Sequence, residues 1–278
     1  MRVIVALVAL CLTLAGCATH AAPTERAPQE RRIVTLLPSF AEDVLAIGAR
    51  SQLVGVSAYT DAPEAKGIPH VSDLVSVDAE KIIAMHADVV VGIPSQSRLV
   101  EPLRRAGVRV LLLSDDSYED IFTAIRQLGD VTGRRPAAGA LISRLQRETA
   151  QLHAVTRSFA HHPRVFVALS SVPIWTVGPQ SFVGTMIGLA GGVNVADISV
   201  PWGEYSGEAL LRAQPDVIVS GSDAHVDAVL DREPWRSLRA VRAHHVYVLQ
   251  NVALLYRPGP QYNEGLRWLI ERLKPLST

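Results

Sequence analysis

Cysteine is almost absent. The 278 residues hold two, Cys11 and Cys17, both near the N-terminus. From Ala18 onward there is no thiol, so the folded part has no disulfide and no Cys-based metal site. It must rest on a core large enough to fold without staples. Charge of one sign is also missing, because 27 basic and 27 acidic residues give a net charge of +0. That balance supplies no electrostatic basis for holding nucleic acid or an anionic membrane surface. Aromatic residues make up only 5% of the chain, which makes the four Trp and six Tyr worth placing individually. No G-x-S-x-G elbow and no Gly-rich phosphate loop occurs, so two common signatures of nucleophilic and phosphate chemistry are lacking.

The one sustained apolar run is Val3 to Leu14, preceded by Arg2 and too short to span a bilayer comfortably. It ends in Leu14-Ala15-Gly16-Cys17, small residues before a Cys, an order that matches a bacterial lipoprotein signal. Residues 1–16 are thus expected to be a signal peptide, with Cys17 lipidated. Residues 17–30 carry Ala, Pro, Thr, Arg, Gln and Glu without periodicity and read as a tether.

One stretch occurs twice. Asp78-Ala79-Glu80-Lys81-Ile82-Ile83 with Asp88-Val89-Val90-Val91 returns 128 positions on (Asp78 to Ser206) as Ser206-Gly207-Glu208-Ala209-Leu210-Leu211 with Asp216-Val217-Ile218-Val219. Each copy has a capping residue, a Glu in the first helical turn, an apolar pair and a buried β-branched strand. The pair predicts a duplicated architecture. Around it, strands alternate with helices at βαβ spacing, which predicts an α/β fold with mainly parallel sheets. Between Pro136 and Phe159 no strand signal occurs, while Leu141, Leu145, Leu152, Val155 and Phe159 fall at helical spacing. A helix there is about 35 Å long, the length of a small domain. The expected organisation is an N-terminal lobe at 31–135, a connecting helix at 136–160 and a C-terminal lobe at 161–278.

Paired α/β lobes bind ligands beyond the carboxyl ends of their strands. The loops there carry Ser39, Tyr59, Trp175, Trp202, Tyr256 and Arg257. Trp and Tyr present flat apolar area with one polar handle each, and Arg presents a rigid donor fork for carboxylate or phosphate.

These features converge on a known group. Leu37-Pro38-Ser39-Phe40-Ala41-Glu42 to Gly48, Val54-Gly55-Val56-Ser57-Ala58-Tyr59-Thr60-Asp61, Val71-Ser72, both repeat copies, Val200-Pro201-Trp202 and Arg257-Pro258-Gly259-Pro260 resemble the ABC-transporter substrate-binding proteins for cobalamin, haem and ferric siderophores. The pattern is nearest the cobalamin-binding members and spans about Arg31 to Leu273. The resemblance implies two Rossmann-like lobes bridged by one long helix, with the ligand held between them as cargo and no cofactor. It implies a monomer that docks on a dimeric permease through one Glu per lobe, at the positions of Glu80 and Glu208. It further implies an extracytoplasmic location, periplasmic or on the cell surface, with the membrane reached through the lipid anchor alone. In one place the pattern departs. Cobalamin-binding members carry a Trp shortly after the Val-Ser of the first lobe, and Leu74 stands there, leaving an apolar wall opposite Trp202.

Two rival readings follow from the residues. A lipid-anchored hydrolase would use Ser39, Ser170 or Ser171 with a His oriented by a carboxylate. A zinc carrier would need His70, His225 and a carboxylate to converge. For haem, Tyr59 and Tyr256 offer axial oxygen ligands.

Overall fold

The computed structural model describes residues 31–73, 75–224 and 226–277. Cys17, with the expected signal and tether, lies outside the described residues, as do Leu74 and His225.

The N-terminal lobe runs β1 (Ile33–Thr35), α1 (Pro38–Ala46), β2 (Leu53–Ser57), β3 (His70–Ser72), α2 (Ala79–Ala84), β4 (Val89–Gly92), α3 (Glu101–Arg105), β5 (Arg109–Leu112) and α4 (Tyr118–Thr132). Its five strands are all parallel, in the order β3-β2-β1-β4-β5. β1 and β4 are buried throughout, as β-branched strands covered on both faces should be. α5 (Arg135–Thr156) follows. Pro136 sits in its first turn, where the missing N–H costs nothing. Its 22 residues give a length of about 33 Å.

The C-terminal lobe runs β6 (Arg164–Ala168), β7 (Ser170–Ser171), β8 (Ile174–Val177), α6 (Phe182–Leu189), β9 (Val193–Asn194), β10 (Trp202–Glu204), α7 (Gly207–Ala213), β11 (Val217–Gly221), α8 (Asp227–Leu230), α9 (Arg239–Arg242), β12 (Val246–Leu249), α10 (Ala253–Tyr256) and α11 (Tyr262–Leu273). Its main sheet is parallel, in the order β12-β11-β6-β9. Reading β6 for β1, β9 for β2, β11 for β4 and β12 for β5 reproduces the order of the first sheet.

The duplication extends to side chains. Arg32 N donates to Asp88 Oδ2 at 2.7 Å, and its Nε to Met85 O at 2.8 Å. In the second lobe Arg164 N donates to Asp216 Oδ2 at 2.9 Å and its guanidinium to Ala213 O at 3.1 Å. His86 (φ 50) and Gln214 (φ 43), again 128 positions apart, both hold the left-handed backbone conformation at the end of the repeated helix. The repeat is one structural unit used twice.

Three expectations shift in detail. The connecting helix ends at Thr156 rather than near 160, because the Thr156 hydroxyl bonds Leu189 O at 2.7 Å and the chain turns there. The segments carrying Trp175 and Trp202, expected as loops, contribute to a three-stranded antiparallel ribbon, β10-β8-β7, over the end of β6. The loop expected to carry Tyr256 and Arg257 begins with a single helical turn, α10, that ends at Tyr256.

One apolar core runs through both lobes, joining Ile33, Phe40 and Val91 of the first to Val165, Val219 and Leu273 of the second through Ile121, Leu128, Leu141 and Leu145. α5 is also pinned to α11: the Asn263 amide donates to Leu145 O at 2.9 Å, and its Oδ1 accepts from the Thr149 hydroxyl at 2.7 Å. A close-packed core shared in this way resists large lobe rotation.

Candidate functional site

The segments that follow β1, β2 and β5 meet β10 and the segment after β12 from the second lobe, and the cleft at this junction holds two cavities. The larger, about 500 Å³, is lined by Glu42, Asp61 and Glu64 from the first lobe and Asn251, Arg257 and Gln261 from the second. The smaller, about 290 Å³, is lined by Asp115, Leu169, Phe182, Trp202, Tyr256 and Pro258. The segment 253–261 runs between them.

Arg257 is the principal bridge. Its guanidinium donates to Glu42 Oε1 at 2.7 Å, to Asp61 Oδ1 and to Tyr59 O at 3.0 Å. The fork read from sequence as a ligand donor is occupied by the protein's own acceptors, all from the opposite lobe. Its side chain is 16% exposed, that of Glu42 5% and that of Asp61 72%, so the pair with Glu42 is largely shielded from water. Burial raises the Glu42 pKa, with Arg257 opposing, while the hydrogen bond from Arg257 lowers that of Asp61.

Behind this bridge lies Asp43, fully buried on α1. Neither of its carboxylate oxygens has a hydrogen-bond partner among the described residues. Burial, and secondarily the charge of Glu42, push its pKa well above the usual carboxylate range. A folded-state pKa above the unfolded one gives stability that is full below about pH 4 and lost as pH rises. Stability measured by urea unfolding is therefore expected to fall from pH 4 towards neutral, and Asp43→Asn to flatten that slope.

A second tie crosses at Asp116. Its backbone O accepts from Phe182 N at 2.7 Å and its Oδ1 from Trp202 Nε1 at 2.8 Å. Trp202 also packs on Phe182, with ring centroids 5.3 Å apart. The adjacent Asp115 has its pKa raised to about 7, first by burial and then by Asp116 and Asp120. It shares a cavity with Trp202, so tryptophan emission is expected to show a pH transition near 7. Asp115→Asn should abolish that transition in a fluorescence titration.

The other aromatic candidates are placed as follows. Trp175 (40% exposed) pairs with Glu204 while Trp202 pairs with Val177, which sets both indoles on one face of the ribbon. Tyr59 is 50% exposed at the end of β2. The Tyr256 hydroxyl donates to Asp223 Oδ1 at 3.0 Å, and burial together with Asp223 raises its pKa, which disfavours the phenolate. Ser39 is 2% exposed in the first turn of α1, close to Gly259 of the opposite lobe. Ser170 donates to Pro173 O at 2.6 Å. Among the described residues, no group of three or more His, Cys, Asp or Glu is arranged to hold a metal ion.

The two Glu of the repeat stand apart from the cleft, on the exposed first turns of α2 and α7. Asp78 caps α2 by accepting from Lys81 N at 2.9 Å, and Ser206 caps α7 by accepting from Ala209 N at 3.4 Å. Glu80 is exposed, and the Glu208 side chain is 88% exposed with only a 3.9 Å contact to Arg212.

Sequence reading overlooked Asp43, Asp115, Asp116 and Asp223. The only local signal is that Glu42-Asp43 lies on the apolar side of α1 and that Asp115-Asp116 directly follows a strand.

The sequence pattern of the periplasmic binding protein family covers residues 33–253. The chain belongs to that family. A vitamin B12-binding protein from Salmonella choleraesuis is 35% identical over 223 residues, 79% of each chain. The ABC transporter substrate-binding lipoprotein YvrC of Bacillus subtilis is 28% identical over 256 residues, covering 89% of this chain and 81% of that one. Among solved structures, the vitamin B12-binding protein BtuF of Vibrio cholerae superposes with a TM-score of 0.75 at 27% identity, over 88% of this chain and 97% of that one. A periplasmic haem-binding protein from Pseudomonas aeruginosa gives 0.79 at 26% identity, over 90% and 94%. The two-lobed α/β architecture with a long connecting helix is the fold of this family, whose members are solute-binding components of transporters rather than enzymes.

Proposed function

We propose that this periplasmic binding protein captures a cobalamin-like, haem or ferric-siderophore ligand between its lobes and delivers it to an ABC importer. The observation that carries the reading is the interlobe cleft itself, lined by Phe182, Trp202 and Tyr256, in a chain similar to vitamin B12-binding and haem-binding proteins. Arg257 and Ser39 act from behind the cleft wall, one as an interlobe clamp and the other as packing. Cys17 carries the lipid that holds the protein, as a monomer, on the outer side of a bacterial membrane. Glu80 and Glu208, one per lobe, meet basic residues of a two-fold permease. No bond in the ligand is made or broken.

Indoles placed at the cleft make its occupancy visible. Tryptophan fluorescence of the purified protein is expected to be quenched at micromolar or lower concentration by one of cobalamin, haem or a ferric siderophore. A flat titration with all three classes would refute the ligand assignment.

A further inference from the structure

The charge lining the cleft is lopsided. Among the described residues that border its two cavities, Glu42, Asp61, Glu64 and Asp115 carry carboxyl groups and Arg257 is the one basic side chain. Arg257 is not available to an incoming anion, because it is bound to Glu42, Asp61 and the Tyr59 carbonyl. Freeing it would strand the buried Glu42 carboxylate without its cation, which is the costly way to break a shielded pair. Two further carboxylates sit just behind the aromatic wall and hold it in place, Asp116 on Trp202 and Asp223 on Tyr256. The Tyr256 hydroxyl, given to Asp223, is a poor phenolate donor for an iron centre. The polar handles of Trp202 and Tyr256 are thus turned towards protein carboxylates, and the surface these two leave to a ligand is aromatic, with negative charge beside it.

We propose that the cleft selects metal chelates that lack free carboxylate groups, namely uncharged or cationic complexes with an amide or hydroxamate periphery, over haem and anionic catecholate chelates. The proposal rests on the solute-binding reading above and narrows it. Selection comes from repulsion as much as attraction. A haem propionate or a catecholate trianion would enter a cleft where like charges face it and the only lining cation is spent, and such juxtaposition is how binding sites reject wrong partners. A cobalamin, with its amide fringe, or a ferric hydroxamate meets no such opposition.

The test is a set of equilibrium titrations, read by tryptophan quenching and calorimetry, with cyanocobalamin, ferrioxamine B, haemin and ferric enterobactin at fixed ionic strength. The expected result is that cyanocobalamin or ferrioxamine B binds at least tenfold tighter than either anionic ligand, and the stronger of the two names the source of the chemistry. Asp61→Asn, which removes one carboxylate from the cavity lining, is expected to raise the ratio of haemin affinity to uncharged-ligand affinity at least threefold. Tighter binding of haemin or ferric enterobactin by the wild-type protein would overturn the selectivity while leaving the solute-binding reading intact. A gap that Asp61→Asn and added salt leave unchanged would overturn charge as its cause. Absence of binding by all four would overturn the ligand class, and this inference with it.

Discussion

Glu80→Ala combined with Glu208→Ala is expected to abolish import while leaving ligand affinity unchanged. Both side chains stand on exposed first turns, neither lines the two cavities, and neither contributes to the core. Their local role, an acidic group near a helix N-terminus, is worth about 0.3–1 kcal/mol, so the double variant should fold normally. Truncating one partner of a charge pair buried at an interface typically costs about 2–5 kcal/mol. Two such losses weaken docking by roughly a thousandfold or more. Uptake by cells or proteoliposomes, measured beside the Kd of the free protein, separates the two effects. A variant that loses ligand affinity instead would show that these residues serve the cleft.

The second large effect is expected at Arg257. Alanine there removes the cation that faces Glu42 at 2.7 Å, where the carboxylate side chain is only 5% exposed. Breaking a buried pair from one side costs about 3–5 kcal/mol. For a chain of this size that is a fall in Tm of roughly 6–20 °C. The sign of the pH dependence follows from Glu42, whose pKa burial already raises and which loses its opposing cation in the variant. Protonation relieves the uncompensated charge, so the deficit should be larger at pH 8 than at pH 5. Calorimetry of both proteins across that range checks it. A loss below 1 kcal/mol at pH 8 would mean that water or another group replaces the guanidinium. Arg257→Lys should recover only part of the loss, since an ammonium cannot span two carboxylates and a carbonyl as the fork does.

What was legible in the sequence was whatever is written locally. The doubled helix could be read because a cap, a first-turn Glu and a β-branched run lie within a dozen residues of one another. The fold supported that reading down to the left-handed residues His86 and Gln214. The connecting helix could be read because Pro136 and a long apolar stripe lie along one segment. The ribbon carrying Trp175 and Trp202 could not, since its strands are only two to four residues long and pair across sequence gaps. Arg257 was found as a residue but not as a clamp, because its partners lie 215 and 196 positions away. The burial of Ser39 was illegible for a related reason, since Gly259 arrives over the first turn of α1 from the other lobe.

The central claim is that the cleft between the lobes holds a metal-chelate ligand bound for an importer. It is tested most directly by isolating the full-length protein from its native membrane, recording its absorption spectrum, and identifying what dissociates on denaturation. The account predicts a carried chromophore with a metal-chelate spectrum, at up to one equivalent and restored by adding the same compound to stripped protein. Protein that carries no such compound, and takes up none of the three ligand classes when offered them, would contradict it.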